Sequence, residues 1–284
     1  MIFLYDVWFP YINIKIKNLE RVAFSIFGLD IYFYGIIICL GILCGLYITL
    51  KEAKRTYQDE NLYTDYLFYA IIFGIIGARI YYVIFSWDDY KNNLIKIFAL
   101  REGGIAIYGA IIAAFLTAVF FCRKRKCNFN LFADTCTFGL LTGQIIGRWG
   151  NFFNREAFGK STNSFFAMRY LASKVSFIPN NVTPIIIDGY KYIQVHPTFL
   201  YESLWNLFLL IFLLSLRKRK LFDGEIFLLY ILFYGVGRSW IERLRTDQLL
   251  LYSSPISQLL SLILSFGALF ILCKKYFFTK KNKS

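Results

Sequence analysis

The sequence predicts an all-α integral membrane protein of about seven transmembrane helices, N-out and C-in, with a small extracytoplasmic head containing a short β-hairpin. Three observations predict it. Of the 284 residues 57% are hydrophobic, with 31 Phe and 21 Tyr, and mean hydropathy is +0.50; a soluble domain of this length rarely carries so much apolar side chain. Uncharged runs such as "IYFYGIIICLGILCGLYITL" (31–50) are long enough, at about 1.5 Å per residue, to span a hydrocarbon core of about 30 Å. The basic residues gather just beyond these runs, as in cytoplasmic loops.

Seven spans follow, roughly 31–50, 66–86, 103–122, 131–147, 197–216, 225–241 and 255–273. Their length and lack of period-2 alternation favour helices over barrel strands. Placing residue 30 outside puts four basic clusters inside: Lys51, Lys54 and Arg55; Arg123 to Lys126; Arg217 to Lys220; Lys274, Lys275 and the tail. The opposite orientation would put all four outside, against the positive-inside rule. The chain then reads as one membrane domain, 1–284, in which 148–196 is an extracytoplasmic head segment. There "TPIIIDGYKYIQV" (183–195) sets two β-leaning stretches around Asp188-Gly189, a hairpin-turn dipeptide. The first twenty-odd residues read as an interfacial or extracytoplasmic lead-in. They lack a basic n-region before a cleavage site, so no removable signal peptide is expected.

A formal charge of +14 suits nucleic acid in general, but its placement at span ends does not, and no nucleic-acid partner is expected. Six Cys (39, 44, 122, 127, 136, 273) form no CxxC pair. Lying mostly within apolar runs or at their ends, they read as small apolar residues. With a single His and no nucleotide motif, neither a metal nor another cofactor is expected.

The informative residues are the polar ones in or beside the spans: Arg79, Asp134, Gln144, Arg148, Glu202, Arg238 and Glu242. A charge at mid-bilayer costs about 2.5–3.5 kcal/mol on insertion scales, so it faces a cavity or a partner. In "YGVGRSWIERLR" (234–245), Tyr234, Arg238 and Glu242 recur every fourth residue and share one helix face. Glu242 can orient Arg238 there, or simply pair with it as a helix-end ion. In "VHPTFLYES" (195–203), His196 precedes Pro197 at the start of a span and is able to move a proton near neutral pH; Glu202, deeper in that span, needs a partner. In "LREGGIAIYGA" (100–110), paired glycines suit close packing or an irregular membrane approach, and Tyr108 sits near the outer third of the span. The stretch "GRWGNFFNREAFG" (147–159) ends span four. Gly147 and Gly150 predict a flexible turn exposing backbone N–H groups beside Arg148, whose fork of donors fits phosphate oxygens. A snorkelling Arg alone would not require the Asn and Gly neighbours.

That stretch closely resembles the signature of bacterial prolipoprotein diacylglyceryl transferases, with Gly147, Arg148, Gly150, Asn151, Phe152, Asn154, Glu156 and Gly159 at its fixed positions. Further blocks of the family follow in order: "YG" at 34–35, "GAR" at 77–79, "GG…YG" at 103–109, "HPTFLYE" at 196–202 and "GRSWIERLR" at 237–245. The resemblance implies an enzyme of the bacterial cytoplasmic (inner) membrane, multi-pass, with its active site on the outer side. It implies transfer of the diacylglyceryl group of phosphatidylglycerol to the lipobox cysteine that follows a prolipoprotein signal peptide. A thioether forms and glycerol phosphate leaves. By the same resemblance Arg148 and Arg238 bind the phosphate, and Asn151, Glu156 and Gly159 shape the headgroup pocket. Tyr234, Glu242 and Tyr34 complete the expected phosphatidylglycerol-binding set, with Glu242 holding Arg238 and Tyr34 contacting lipid or acceptor.

The chain departs from the pattern at one position: many members carry His in the span-three glycine block, where this chain has Tyr108. A tyrosine of pKa about 10 is a poor base at neutral pH. Either His196 takes the thiol proton, or the arginine-rich site lowers the thiol pKa enough to need no dedicated base; the second is preferred. Two readings from other classes compete. A non-catalytic phospholipid carrier or flippase would redistribute intact lipid without releasing glycerol phosphate. A scaffold whose charges merely pair helices would tolerate Arg148→Lys.

Overall fold

The computed structural model describes residues 4–100, 103–248, 250–251 and 254–281. Seven long helices occur among them: α1 (Phe33–Arg55), α2 (Glu60–Phe85), α4 (Ile107–Arg125), α5 (Phe129–Asn154), α6 (Thr198–Leu216), α7 (Glu225–Leu244) and α8 (Ile256–Lys281). A one-turn helix, α3 (Trp87–Tyr90), follows α2. Each long helix overlaps one of the seven runs expected from sequence. Five of them, α1, α2, α4, α6 and α8, are long and apolar enough to cross a membrane. The other two, α5 and α7, carry Gln144, Arg148, Arg238 and Glu242, which lower their apolar character. Large apolar side chains such as Phe68, Ile84, Phe120, Ile211 and Phe270 point outward, a surface suited to hydrocarbon rather than water.

Helix ends follow local chemistry. The Asp59 carboxylate accepts from the Asn61 N–H and caps α2. The basic residues Lys54 and Arg55, and Arg123 to Arg125, occupy the last turns of α1 and α4, where cations oppose the carbonyl end of the helix dipole. The basic tail beyond Lys281 lies outside the described residues.

The chain divides into two compact units, 46–136 and the combination of 1–45 with 137–284. The 46–136 unit has a core of Tyr63, Ala118, Phe121, Cys122 and Phe132, with Tyr63 stacked on Phe132 at 4.9 Å. Arg79 is buried in it and donates to four backbone carbonyls, those of Lys96, Ile97, Gly103 and Gly104, at 2.6–2.8 Å. It thereby fixes the irregular approach to α4. Gly104 has φ +76°, and a Cβ there would lie 2.5 Å from Arg79 Nη1, so the second glycine of the pair is required by both conformation and space. Arg101 and Glu102 lie outside the described residues.

In the larger unit, α1 and α5 cross at glycines: a Cβ on Gly45 would lie 2.7 Å from the Gly139 carbonyl oxygen, the close approach that small residues permit between membrane helices. This unit also holds strands β1 (Val7–Phe9), β2 (Ile14–Ile16), β3 (Val22–Ile26), β4 (Leu29–Tyr32), β5 (Met168–Leu171), β6 (Pro184–Ile187) and β7 (Tyr190–Val195). Five of these form an antiparallel sheet of order β2-β1-β5-β7-β6, while β3 and β4 form a separate hairpin. The expected turn joins β6 to β7: Asp188 and Gly189 have φ +50° and +82°, positive at both central positions as a type I′ turn demands. The sheet exceeds that hairpin by three strands, two supplied by the N-terminal lead-in and the third, β5, by the head segment itself.

Val7, Met168, Tyr170, Ile193 and Val195 of the sheet pack on Phe152 of α5, Phe158 of the following loop and Phe199 of α6. Burial of each such side chain is worth about 1.5–3 kcal/mol, so the sheet braces the helix ends beneath it. An ion pair adds a second tie. Buried Arg155 lies 3.6 Å from the buried Asp6 carboxylate, which also accepts from the Leu19 N–H at 2.9 Å. Asp6→Asn should therefore leave a buried guanidinium without its counter-ion and cost about 3–5 kcal/mol. Thermal unfolding in detergent should show a clear drop in Tm, with part of it recovered in Asp6→Asn/Arg155→Met. An unchanged Tm would show the pair to be dispensable.

Candidate functional site

Three helices of the larger unit converge on one carboxylate. Glu202 sits in the second turn of α6 with its side chain 3% exposed. Its Oε1 lies 2.5 Å from Nη2 of Arg148 on α5, and its Oε2 accepts from Nη1 of Arg238 on α7 at 2.9 Å. The Tyr234 hydroxyl, one turn from Arg238, donates to Glu202 Oε1 at 3.3 Å. The partner that Glu202 needed is thus a pair of arginines. The helical spacing of Tyr234, Arg238 and Glu242 is realised on one face of α7, where Glu242 Oε2 lies 2.6 Å from Arg238 Nη2. Arg245, just past α7, grips Asp247 through two bonds of 2.9 and 2.6 Å. It also comes to 4.0 Å from Glu242. Burial pushes the Asp247 carboxyl upward, but the Arg245 fork outweighs it and holds the group below the usual carboxylate range.

Three cations thus face three carboxylates, and their exposure is unequal. The Arg148 side chain is 23% exposed and that of Arg238 14%, against 3% for both Glu202 and Glu242. Glu202 and Glu242 are thus inside relative to Arg148 and Arg238, whereas at Arg245 the order reverses, with Asp247 47% exposed against 12%. An anion reaching Arg148 and Arg238 meets positive charge in a fixed frame that requires little reorganisation.

The stretch 147–159 differs from its sequence reading. Residues 147–154 remain helical, so Gly147 and Gly150 form no flexible turn and the backbone N–H groups there belong to the helix. Gly150 instead gives room to the Tyr34 ring, which would lie 2.8 Å from any Cβ at that position. The chain turns only afterwards, through Arg155 and Ala157 at φ +53° and +54°. Side chains take over the polar work. Arg148 Nη1 donates to Asn151 Oδ1 at 3.4 Å, and the amides of Asn151 and Asn154 donate to Glu156 Oε1 at 2.9 and 3.3 Å. A cavity of about 700 Å³ opens beside Tyr34, Asn154 and Glu156, with Arg21, Tyr32 and Asp247 on other walls.

Gly159 is held by backbone on both sides. Its N–H donates to the His196 carbonyl at 2.9 Å, and a Cβ would lie 2.7 Å from His196 Cβ and 2.9 Å from the Leu244 carbonyl oxygen. No larger residue fits without moving the start of α6 or the end of α7. The His196 ring pairs with Tyr201, Nδ1 to Oη at 3.2 Å, rather than with Arg148 or Arg238, and burial lowers its pKa from the ordinary imidazole value. Tyr108 belongs to the other unit, in the first turn of α4, its ring 6.4 Å from that of Tyr81. Arg148, Asn151, Glu156, Tyr234, Arg238 and Glu242 are therefore linked by one continuous set of contacts through Glu202. Tyr34 and Gly159 pack alongside, and the His196 ring pairs with Tyr201 instead. Sequence reasoning missed Arg245 and Asp247, although Arg245 closes the "GRSWIERLR" block three residues after Glu242, a helical ion-pair spacing. It also left Glu202 outside the site, although its position at the end of the "HPTFLYE" block marked it.

The sequence model of the family described as prolipoprotein diacylglyceryl transferase matches residues 21–274. The phosphatidylglycerol–prolipoprotein diacylglyceryl transferase of Listeria welshimeri is 45% identical over 250 residues, covering 88% of this chain and 87% of its own. Proteins of the same name from Finegoldia magna and Clostridioides difficile are 44% identical over 245 residues and 40% over 266. These cover 86% and 94% of this chain, and 91% and 98% of theirs. This chain belongs to the prolipoprotein diacylglyceryl transferase family.

Proposed function

We infer that this chain transfers the diacylglyceryl group of phosphatidylglycerol to prolipoproteins. The observation that carries the reading is the pair of arginines from separate helices, Arg148 and Arg238, anchored on one buried carboxylate and more accessible than it. That frame suits a phosphodiester, whose oxygens match guanidinium forks. The acceptor is the lipobox cysteine thiol. Its sulfur bonds to the glycerol carbon while the bond from that carbon to the phosphate oxygen breaks. Glycerol phosphate departs with the charge that the two arginines stabilise. Asn151, Glu156 and Gly159 shape the headgroup pocket, Glu242 steadies Arg238, Tyr234 orients Glu202, and Tyr34 lines the approach. We read 1–284 as one membrane domain of seven spans, N-out and C-in, with 148–196 outside. The site then faces the outer side of the bacterial inner membrane; the basic helix ends support this orientation.

The thiol proton is the open step. The His196 ring is held by Tyr201, and burial lowers its pKa, which makes it a weaker base. Tyr108 is a poor base by its chemistry. We favour direct ionisation of the incoming thiol in the field of the arginines.

Purified protein in liposomes containing phosphatidylglycerol and a lipobox peptide tests the reading. The peptide should gain one diacylglyceryl unit with matching release of glycerol phosphate, and both should vanish in Arg148→Ala. Altered leaflet distribution of intact lipid, with no mass gain, would favour a lipid carrier. Arg148→Lys keeps the charge but loses the fork and should lower kcat/KM by about 10²-fold; near-normal activity would support the scaffold. In the same assay His196→Ala should retain most activity at pH 8, with kcat/KM rising with pH in both proteins as the thiol ionises. Complete loss in a folded variant would make His196 the base.

A further inference from the structure

Beneath the Arg148–Glu202–Arg238 cluster, one helical turn along α5 and α6 and two turns along α7 from Arg238, the same three helices present a second polar layer. On α5 the residue four before Arg148 is Gln144. On α6 the residue four after Glu202 is Asn206. On α7 the residue four before Tyr234 is Tyr230. The helices alternate in direction here, so all three steps lead away from the sheet. Two contacts fix this level. Ser203 Oγ donates to the Ile145 carbonyl at 3.0 Å, joining α6 to α5. Trp205 Nε1 donates to the Phe233 carbonyl at 3.0 Å, joining α6 to α7. Gln144 Nε2 reaches across from α5 to donate to the Tyr230 hydroxyl on α7 at 2.8 Å.

Protein groups alone do not saturate the polar atoms of this layer. Asn206 is 0% exposed, and neither its Oδ1 nor its Nδ2 has a partner; Gln144 Oε1 is likewise buried and unpartnered. An amide removed from water with no compensating bond is strongly unfavourable, most of all between membrane helices, where backbone and solvent offer nothing in exchange. Three such atoms on adjacent helix faces mark a place that takes a small ligand able both to donate and to accept. The amides of Asn206 and Gln144 and the Tyr230 phenol are neutral, which suits an uncharged ligand rather than an anion or a metal.

We propose that α5, α6 and α7 enclose a buried water site, held by Asn206, Gln144 and Tyr230, that backs the ion cluster from the membrane side. A water there satisfies two to four polar atoms at once, as buried waters do. It also supplies hydrogen-bond donors on the deep side of Glu202. A phosphate that draws on Arg148 and Arg238 competes with this carboxylate for their donors, and the hydrated layer gives it others. Asn206 is on this account a positioning residue, acting through Glu202. The hydration itself stands on the orphaned amides and does not depend on the transferase reading.

Radiolytic hydroxyl labelling with mass spectrometry tests it, because a buried side chain is modified only where water lies against it. With the full chain in nanodiscs, Tyr230 should be labelled in the wild type despite its burial. The label should fall severalfold in Asn206→Leu, which fills the site with an apolar side chain. Should the Leu variant fail to fold, Asn206→Ser enlarges the space and should keep the label. An unlabelled Tyr230 in the wild type, a label unchanged in folded Asn206→Leu, or one lost in folded Asn206→Ser would overturn the proposal. None of these outcomes requires active enzyme, so failure here is separable from failure of the transfer assay.

Discussion

The site depends on a carboxylate buried where a lone charge could not remain. Glu202 lies in the second turn of a membrane-type helix, almost wholly out of solvent, and only the two guanidiniums that reach it from α5 and α7 make its ionised form tolerable. The dependence runs in both directions. Without the carboxylate the two arginines would repel, Arg148 losing its ion partner while Glu242 still held Arg238; with it they are drawn to one point. A buried anion between two more accessible cations is thus a device for arranging positive charge.

The remainder of the larger unit keeps those helix ends in place. The five-stranded sheet buries Val7, Met168, Tyr170 and Ile193 against Phe152, Phe158 and Phe199, residues that lie within a few positions of Arg148, Gly159 and Glu202. Arg155 and Asp6 tie the N-terminal strands to the same turn. Gly159 lets the loop run between His196 and Leu244 without displacing either. Sequence elements far apart in the chain therefore meet at the site because of packing that is itself polar only at its edges.

Much of this was legible in the sequence. Seven apolar runs became seven long helices, since in lipid a helix satisfies its own backbone. The Asp188-Gly189 turn and the shared face of Tyr234, Arg238 and Glu242 followed from local geometry. What the sequence hid had physical causes. Three-residue strands such as β1 and β2 are too short to show alternation. Glycines at 147 and 150 resemble turn residues, yet in a helix pressed against α1 they serve close packing. Arg245 and Asp247 pair two residues apart just past the end of α7, where helical spacing no longer applies, and the setting of Asn206 depends on helices distant in sequence. His196 drew attention as the lone imidazole, but its contacts are those of a residue that supports Gly159.

Whether Glu202 arranges the arginines or merely neutralises them is the central question, and Glu202→Gln separates the two. This change removes the charge and turns an amide donor toward a guanidinium while conserving size. Steady-state transfer from phosphatidylglycerol to a lipobox peptide, measured on variant protein whose thermal unfolding shows it to be folded, should fall by about 10²-fold, the scale expected when reacting groups lose their alignment. An unchanged or faster rate, with tighter use of phosphatidylglycerol, would show that the carboxylate only competes with the phosphate, and would contradict the account.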